Sequence, residues 1–429
     1  MKKENFFFLF LAVGTFFCNF ATNSFADNSY KEGVAKFGFP DVSSTIGVIV
    51  DQMPDMTEAQ IRFAATHYVG SQKLALPLTI NIRKYNPLFL VTHYHLGIWE
   101  QQPAIKFIID GSHWGNDWDI VNAHEDWFWH NEAGSRVTSS HDGKYLMNIM
   151  NLEFQNYWKS SILAQIHYGA YQAVFLDSSS VDLLQGEASK SDQRLAGTAA
   201  ISRNFAELGG RTWSQAYALF MKSLTDYLEA NGFATIPNIG GQMTAWDKTD
   251  YLTSASGAFI EGAFMTNSNS DWIMAAQRVL RLASLNKIVI FQPYLKSDSD
   301  ISTRMYYLAC YLLLKGRYTY INYFHKTPLS WFPEYAIRIG NPLQSSPYLI
   351  NLMMQNGVFK RDFELGQVFV NPSDAEKMIV LQYPLWQVLP QGGGSLDTLG
   401  TTPGTLQYVQ VSSFTMPPWS GVVLLNQHP

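Results

Sequence analysis

The chain has 429 residues, with charged residues at 15%, aromatics at 14% and a formal net charge of −5. An average globular chain carries roughly 25% charged residues, so this surface is lightly charged, and the absence of any long basic run excludes a nucleic-acid footprint. The length exceeds what one core usually serves, so two domains are expected, one of them large.

The first residues read MKKENFFFLFLAVGTFFCNFATNSFADNS. Lys2 and Lys3 form a positive n-region, residues 6–21 an apolar run, and Ser24 and Ala26 a small-x-small cleavage site before Asp27. That is the grammar of a secretory signal over residues 1–26. The run falls short of the about 20 apolar residues that span a bilayer, so no membrane anchor is expected and the mature chain is read as secreted or periplasmic. Cys18 leaves with the signal, and Cys310 sits in an apolar helical run. No disulfide and no thiolate metal site can therefore form.

In chain order, STIGVIVD (residues 44–51) predicts a first strand, and TEAQIRFAATHY a helix. PLFLVTHYH (87–95) predicts the second strand and, after a Trp-rich loop over residues 99–129, KYLMNIMN (144–151) the third. A helix at 152–169 leads into QAVFLD (172–177), the fourth strand, and a helix ending at Gly232 into FATIPNIGG, the fifth. SGAFIEGAF is the sixth, KIVIFQPY the seventh and RYTYINYF the eighth, with helices before the last two. Eight short apolar strands with helices between most pairs predict a (β/α)8 TIM barrel over residues 27–350. The second and third units lack a long helix between them, which leaves an open doubly wound sheet as the alternative. From residue 355 onward strand-like pieces broken by Gly and Pro predict a small C-terminal all-β, sandwich-like domain, residues 355–429.

Chemistry in such a barrel lies at the carboxyl ends of the strands. Those ends supply Asp51, His93 and His95, Asn148 and Asn151, Asp177, Asn238, Glu261, Gln292 with Tyr294, and Asn322 with Tyr323. Asp177 and Glu261 stand out because each directly follows apolar residues, in VFLD and AFIE. Strands four and six would aim both carboxylates into one mouth, as glycosidic cleavage requires. The bland alternative is a structural ion pair, or an Asp capping the turn through residues 178–180. Nearby serines, Asn238 or Tyr323 are candidates to hold Asp177. His-x-His at a strand end also suits a metal site in an amidohydrolase, but the later strand ends offer no further His, so no metal and no cofactor is expected. Trp129, one of the four Trp at 114, 118, 127 and 129 in the long loop, is a candidate sugar platform.

The segments HEDWFWHNEAGSRV, YLMNIMNLEFQNYWKSSI and YQAVFLDSSS resemble the glycoside-hydrolase-like TIM-barrel families, bacterial and exported. The ending GQVFVNPS…SGVVLLN looks like the C-terminal β domain that often follows these barrels. Ala173 stands where the pattern often has Gly, and Ser178 where it often has Asn or Asp; neither departure touches the carboxylate. The resemblance covers most of the mature chain and implies a catalytic role for Asp177, while Glu261 is placed by strand. The expected function is cleavage of a poly- or oligosaccharide by an exported, monomeric enzyme. In it Asp177 is nucleophile or base and Glu261 general acid, with Asp51, His93, His95, Trp129, Asn151, Asn238, Gln292 and Tyr323 binding carbohydrate. A catalytically silent glycan-binding barrel is the rival, and a metal-dependent amidohydrolase the third reading.

Overall fold

The computed structural model describes residues 34–101, 108–109, 112–113, 117–130, 134–138, 143–179, 211, 213–240, 254–325 and 329–429. The signal segment, Trp114 and Ser180 lie outside the described residues. Eight parallel strands form one sheet: β1 (Gly47–Gln52), β2 (Gly70–Lys73), β3 (Leu90–Leu96), β4 (Ala173–Asp177), β5 (Ala234–Pro237), β6 (Gly257–Glu261), β7 (Ile288–Gln292) and β8 (Thr319–Ile321). Neighbours follow chain order, and β8 returns to β1 through Gly47↔Tyr320. Between β5 and β6, Ile239 N–H donates to Phe259 O at 3.0 Å and Ser256 N–H to Thr235 O at 3.1 Å. The ring is closed. A doubly wound sheet would reverse its strand order, so the (β/α)8 TIM barrel stands.

Among the described residues the helices of eight residues or more are α1 (Glu58–His67), α2 (Leu76–Arg83), α3 (Leu152–Gly169), α4 (Trp213–Ala230), α5 (Asn269–Ser284) and α6 (Ile301–Leu314). Four starts are fixed by side chains, which satisfy the amide groups a first turn leaves unpaired. Thr57 makes a capping box with Gln60, and Asn151, Ser268 and Asp300 cap α3, α5 and α6.

The second and third strands need correction. The second is GSQK, residues 70–73, which pairs with β1 on one side and β3 on the other. The stretch 87–95 is therefore the third strand, and 144–151 yields only Tyr145–Leu146, paired antiparallel with Trp99–Glu100 outside the barrel. GSQK carries no β-branched or apolar residue, so two-sided backbone pairing, not propensity, makes it a strand.

Alternation along the strands sorts the side chains. Ile49, Leu90, Phe175, Ile236, Phe259, Ile290 and Tyr320 fill the lumen, closed from below by Phe37, Phe39 and Val42. Val48, Val50, Val91, Val174, Leu176, Val289 and Phe291 belong to a second core shared with the helices. The last inward position of every strand but β2 lies above the apolar lumen, and on β2 Lys73, one residue out of that alternation, reaches the same layer through its contact with Asp51. That layer is polar throughout and is the site described below.

Downstream, β9 (Phe359–Phe363), β10 (Gly366–Asn371), β11 (Lys377–Gly392), β12 (Gly404–Met416) and β13 (Ser420–Leu425) form an antiparallel sheet in the order β9-β10-β13-β11-β12. The β11–β12 ribbon breaks register between Val380 and Leu385. Phe414 then meets Phe369 ring to ring at 5.4 Å although three strand spacings separate β12 from β10. One bent sheet thus makes both layers of the sandwich-like unit. It docks on α6, where a Cβ on Gly421 would stand 2.4 Å from Ala309 Cβ. Arg361 Nη1 donates to Leu313 O at 3.0 Å and Lys315 O at 2.7 Å, capping that helix from outside. The β11–β12 connection also returns to the barrel, where Ser330–Trp331 pairs with Gly394–Ser395. Among the described residues no helix is long and apolar enough to cross a membrane.

Candidate active site

Each strand delivers one side chain to the mouth: Asp51, Lys73, Tyr94, Asp177, Asn238, Glu261, Gln292 and Asn322. Asp51, Tyr94, Asn238, Gln292 and Asn322 are buried, whereas Lys73, Asp177 and Glu261 keep part of their surface open. The arrangement is a polar floor carrying three reachable charged groups.

Asn238 joins the two carboxylates. Its Nδ2 donates to Asp177 Oδ1 at 2.8 Å and to Glu261 Oε2 at 2.7 Å. Those two oxygens therefore lie no more than about 5.5 Å apart, the two bonds laid end to end. The amide is itself oriented, because its Oδ1 accepts from Gly240 N–H at 3.0 Å. Asp177 also accepts from Tyr94 Oη at 2.7 Å and from Ser178 N–H at 2.8 Å. Glu261 accepts from Tyr294 Oη through its other oxygen. Burial first, then the adjoining carboxylates, push both tyrosine hydroxyls up from their usual range. Both remain protonated donors at any physiological pH.

Lys73 Nζ lies 2.9 Å from Asp51 Oδ1. Burial works against the ammonium, but Asp51, then Asp177, and then Glu261 outweigh it and raise its titration. Burial raises Asp51 in turn, with Lys73 opposing. Beyond them the Asn322 and Gln292 amides meet at 2.9 Å, and with the Asn322 amide turned its oxygen accepts from Asp51 N–H at 3.2 Å.

The turns behind both carboxylates are conformationally costly. Ser178, directly after Asp177, has φ 53°, and Gly262 and Phe264, after Glu261, have φ 69° and 58°. Left-handed backbone at non-Gly residues costs energy and concentrates at functional sites. Gly97 closes the Asp177 side: its N–H donates to Asp177 O at 2.6 Å, and an added Cβ would stand 1.6 Å from Ser179 Oγ.

Several residues expected at the mouth lie elsewhere. His93 and His95 occupy the outward positions of β3 and turn into the helix layer. His93 Nε2 meets Gln165 Oε1 at 2.8 Å, and Trp158 Nε1 donates to His95 Nδ1 at 3.2 Å. Burial drives His93 down to about 3 and lowers His95. Tyr323 likewise points outward, donating to Arg304 O at 2.7 Å, and Asn322, one residue earlier, takes the inward place. Trp129 is buried in loop packing. Asn151 is spent as the α3 cap and donates to Asp126 Oδ2 at 2.7 Å. For His93, His95 and Tyr323 the strand end is right and the face is wrong, whereas Trp129 and Asn151 lie in the long connection between β3 and α3 and not at a barrel strand end. Asp51, Asp177, Asn238, Glu261 and Gln292 do converge. Sequence reasoning missed Lys73 and Tyr94. Tyr94 could have been found by counting in twos from Leu90, whereas Lys73 required recognising GSQK as a strand. Among the described residues no group of three or more His, Cys, Asp or Glu is placed to hold a metal ion.

No curated protein matches the chain. Among solved structures, it is similar to a noncanonic maltogenic alpha-amylase from Thermotoga neapolitana, at 9% identity and TM-score 0.44, over 89% of this chain and 99% of that one. It is also similar to a GH31 dextranase from Flavobacterium johnsoniae, at 8% identity and TM-score 0.48, over 90% of this chain and 52% of that one. Residues 83–367, well over half of the sequence, match the hypothetical glycosyl hydrolase family 15. The chain belongs to that family of hypothetical glycosyl hydrolases.

Proposed function

We propose that the protein is an exported glycoside hydrolase that cleaves a poly- or oligosaccharide with Asp177 as nucleophile and Glu261 as general acid and base. The observation that carries this reading is the Asn238 amide bridging the two carboxylates within about 5.5 Å. Separations of about 5–5.5 Å suit retention of anomeric configuration, and about 6.5–9.5 Å would leave room for the water of inversion. Retention is therefore the expected course.

In the first step Glu261, protonated, gives its proton to the glycosidic oxygen as Asp177 attacks the anomeric carbon. The C–O bond breaks, the alcohol leaves, and the sugar is esterified to Asp177. Water then gives its proton to Glu261 and its oxygen to the anomeric carbon, releasing the sugar and regenerating both carboxyl groups. Tyr94, Asn238 and the Ser178 amide hold Asp177 in one orientation. Asp51, Asn238 and Gln292 offer the floor against which sugar hydroxyls would bind. Residues 1–26 act as the export signal, with cleavage before Asp27, and the mature protein works as a monomer without a cofactor.

The test is incubation of the purified protein with a panel of polysaccharides and aryl glycosides, read as new reducing ends. Turnover should appear with at least one substrate and fall by several orders of magnitude in both Asp177→Asn and Glu261→Gln, with melting temperature kept within a few degrees. Binding without product by the wild type would make this a silent glycan-binding barrel. Wild-type activity in Asp177→Asn would remove the assignment.

A further inference from the structure

The carboxylate pair raises an electrostatic question. Two acidic groups share one amide, a third carboxylate stands on β1, and all three rest on an apolar lumen. Like charges this close in a partly desolvated site disfavour joint ionisation. Of the eight strand-end residues at the mouth, Lys73 is the one cation, and it comes from the strand that carries no apolar residue.

We propose that Lys73, anchored by Asp51, is a positioning residue whose ammonium lets Asp177 and Glu261 stand within reach of a single amide. The proposal rests on the reading of those two residues as the catalytic pair. The geometry is specific. Lys73 Nζ lies 2.9 Å from Asp51 Oδ1, 5.1 Å from the Tyr94 ring centre and 5.5 Å from that of Phe175. It thus leans from β2 across β3 to β4, over the tyrosine that donates to Asp177. Among the described residues the groups in this layer are, strand by strand, Asp51, Tyr94, Asp177, the neutral Asn238, Glu261, and the neutral Gln292 and Asn322, with Tyr294 beyond β7. Asp51 opposes Lys73 directly, so it weakens the ammonium's pull on the pair, and the proposal turns on the side of Lys73 that lies over Tyr94 and Phe175. Asp51, Asp177 and Glu261 all favour the charged ammonium despite its burial.

Lys73→Met keeps the length and apolar stem of the side chain and deletes only the charge. A neighbouring opposite charge favours an ionised carboxylate by roughly 1–3 pH units. The acid limb of the kcat/KM profile should therefore move to higher pH by about one unit in Lys73→Met. Asp51→Asn, which keeps the ammonium and removes its anchor, should not move it upward. A packing role for Lys73 would lower activity equally at every pH, and a limb unmoved in a folded Lys73→Met protein overturns the proposal. If the wild type cleaves nothing on the substrate panel, the catalytic reading fails separately, and melting temperature decides the electrostatic one. With Asp51→Asn in both proteins, so that the direct ion pair drops out, the deficit caused by Lys73→Met should then grow from pH 4 to pH 7, as Asp177 and Glu261 ionise without their cation. A flat deficit over that range overturns the proposal.

Discussion

Replacing Asn238 by alanine tests the site at its joint. The side chain donates two hydrogen bonds, of 2.8 Å and 2.7 Å, one to each carboxylate. A hydrogen bond to a charged group contributes about 1.5–3 kcal/mol, so the gross loss is about 3–6 kcal/mol. Asp177 and Glu261 are only partly buried, and water entering the vacated space recovers a share. A net loss of about 3–4 kcal/mol in transition-state stabilisation corresponds to roughly 100–1,000-fold in kcat/KM, at about 1.36 kcal/mol per decade. The backbone ladder does not depend on the amide: Asn238 N–H donates to Leu176 O at 2.7 Å, and Ser179 N–H donates to Asn238 O at 3.1 Å. The variant should fold, with a melting temperature within a few degrees of wild type. Steady-state kinetics on the best substrate of the panel, beside a melting curve, measures both. Asn238→Asp, similar in size, places a third carboxylate against the pair and should cost at least as much. Activity within about threefold of wild type in a folded Asn238→Ala would refute the joint.

Two further expectations follow from packing and burial. Gly97→Ala puts a Cβ 1.6 Å from Ser179 Oγ and 3.1 Å from Asp177 O, so it should cut kcat/KM at least tenfold; adding Ser179→Gly should restore part of it, and no loss in Gly97→Ala would show that the β4 end yields freely. Burial, reinforced by Arg361, lowers the Lys315 ammonium to about 7, against about 10.4 in an unfolded chain. The folded state then binds fewer protons than the unfolded one between those values, so this group's contribution to stability rises with pH across that window. Lys315→Met should gain most in melting temperature relative to wild type near pH 6, and the gain should shrink towards pH 10; a gain that increased with pH would contradict the burial argument.

The parts legible in the sequence were those written in apolar alternation. β1 and β4 through β8 each carry a run of apolar residues, and their ends placed Asp51, Asp177, Asn238, Glu261 and Gln292 at the strand ends whose inward faces form the mouth. GSQK gave no such signal, because its neighbours on both sides hold it by backbone pairing. Losing it hid Lys73 and moved the segment at residues 87–95 up one place in the barrel. The mistaken strand at 144–151 restored the count of eight. His93, His95 and Tyr323 failed for a different reason: a one-residue error in parity exchanges the mouth for the helix layer. Trp129 and Asn151 belong to the long β3–α3 connection, whose packing no periodicity announces.

The central claim is that Asp177 attacks the anomeric carbon while Glu261 manages the proton. The most direct measurement uses 2-deoxy-2-fluoro glycosides with good leaving groups, built on the sugar the wild type cleaves, followed by peptide mass spectrometry. The account predicts one added fluorosugar per protein, located on the peptide containing Asp177 and absent in Asp177→Asn. Label on Glu261, or rapid turnover of the parent glycoside with inverted product and no label on either residue, would contradict it.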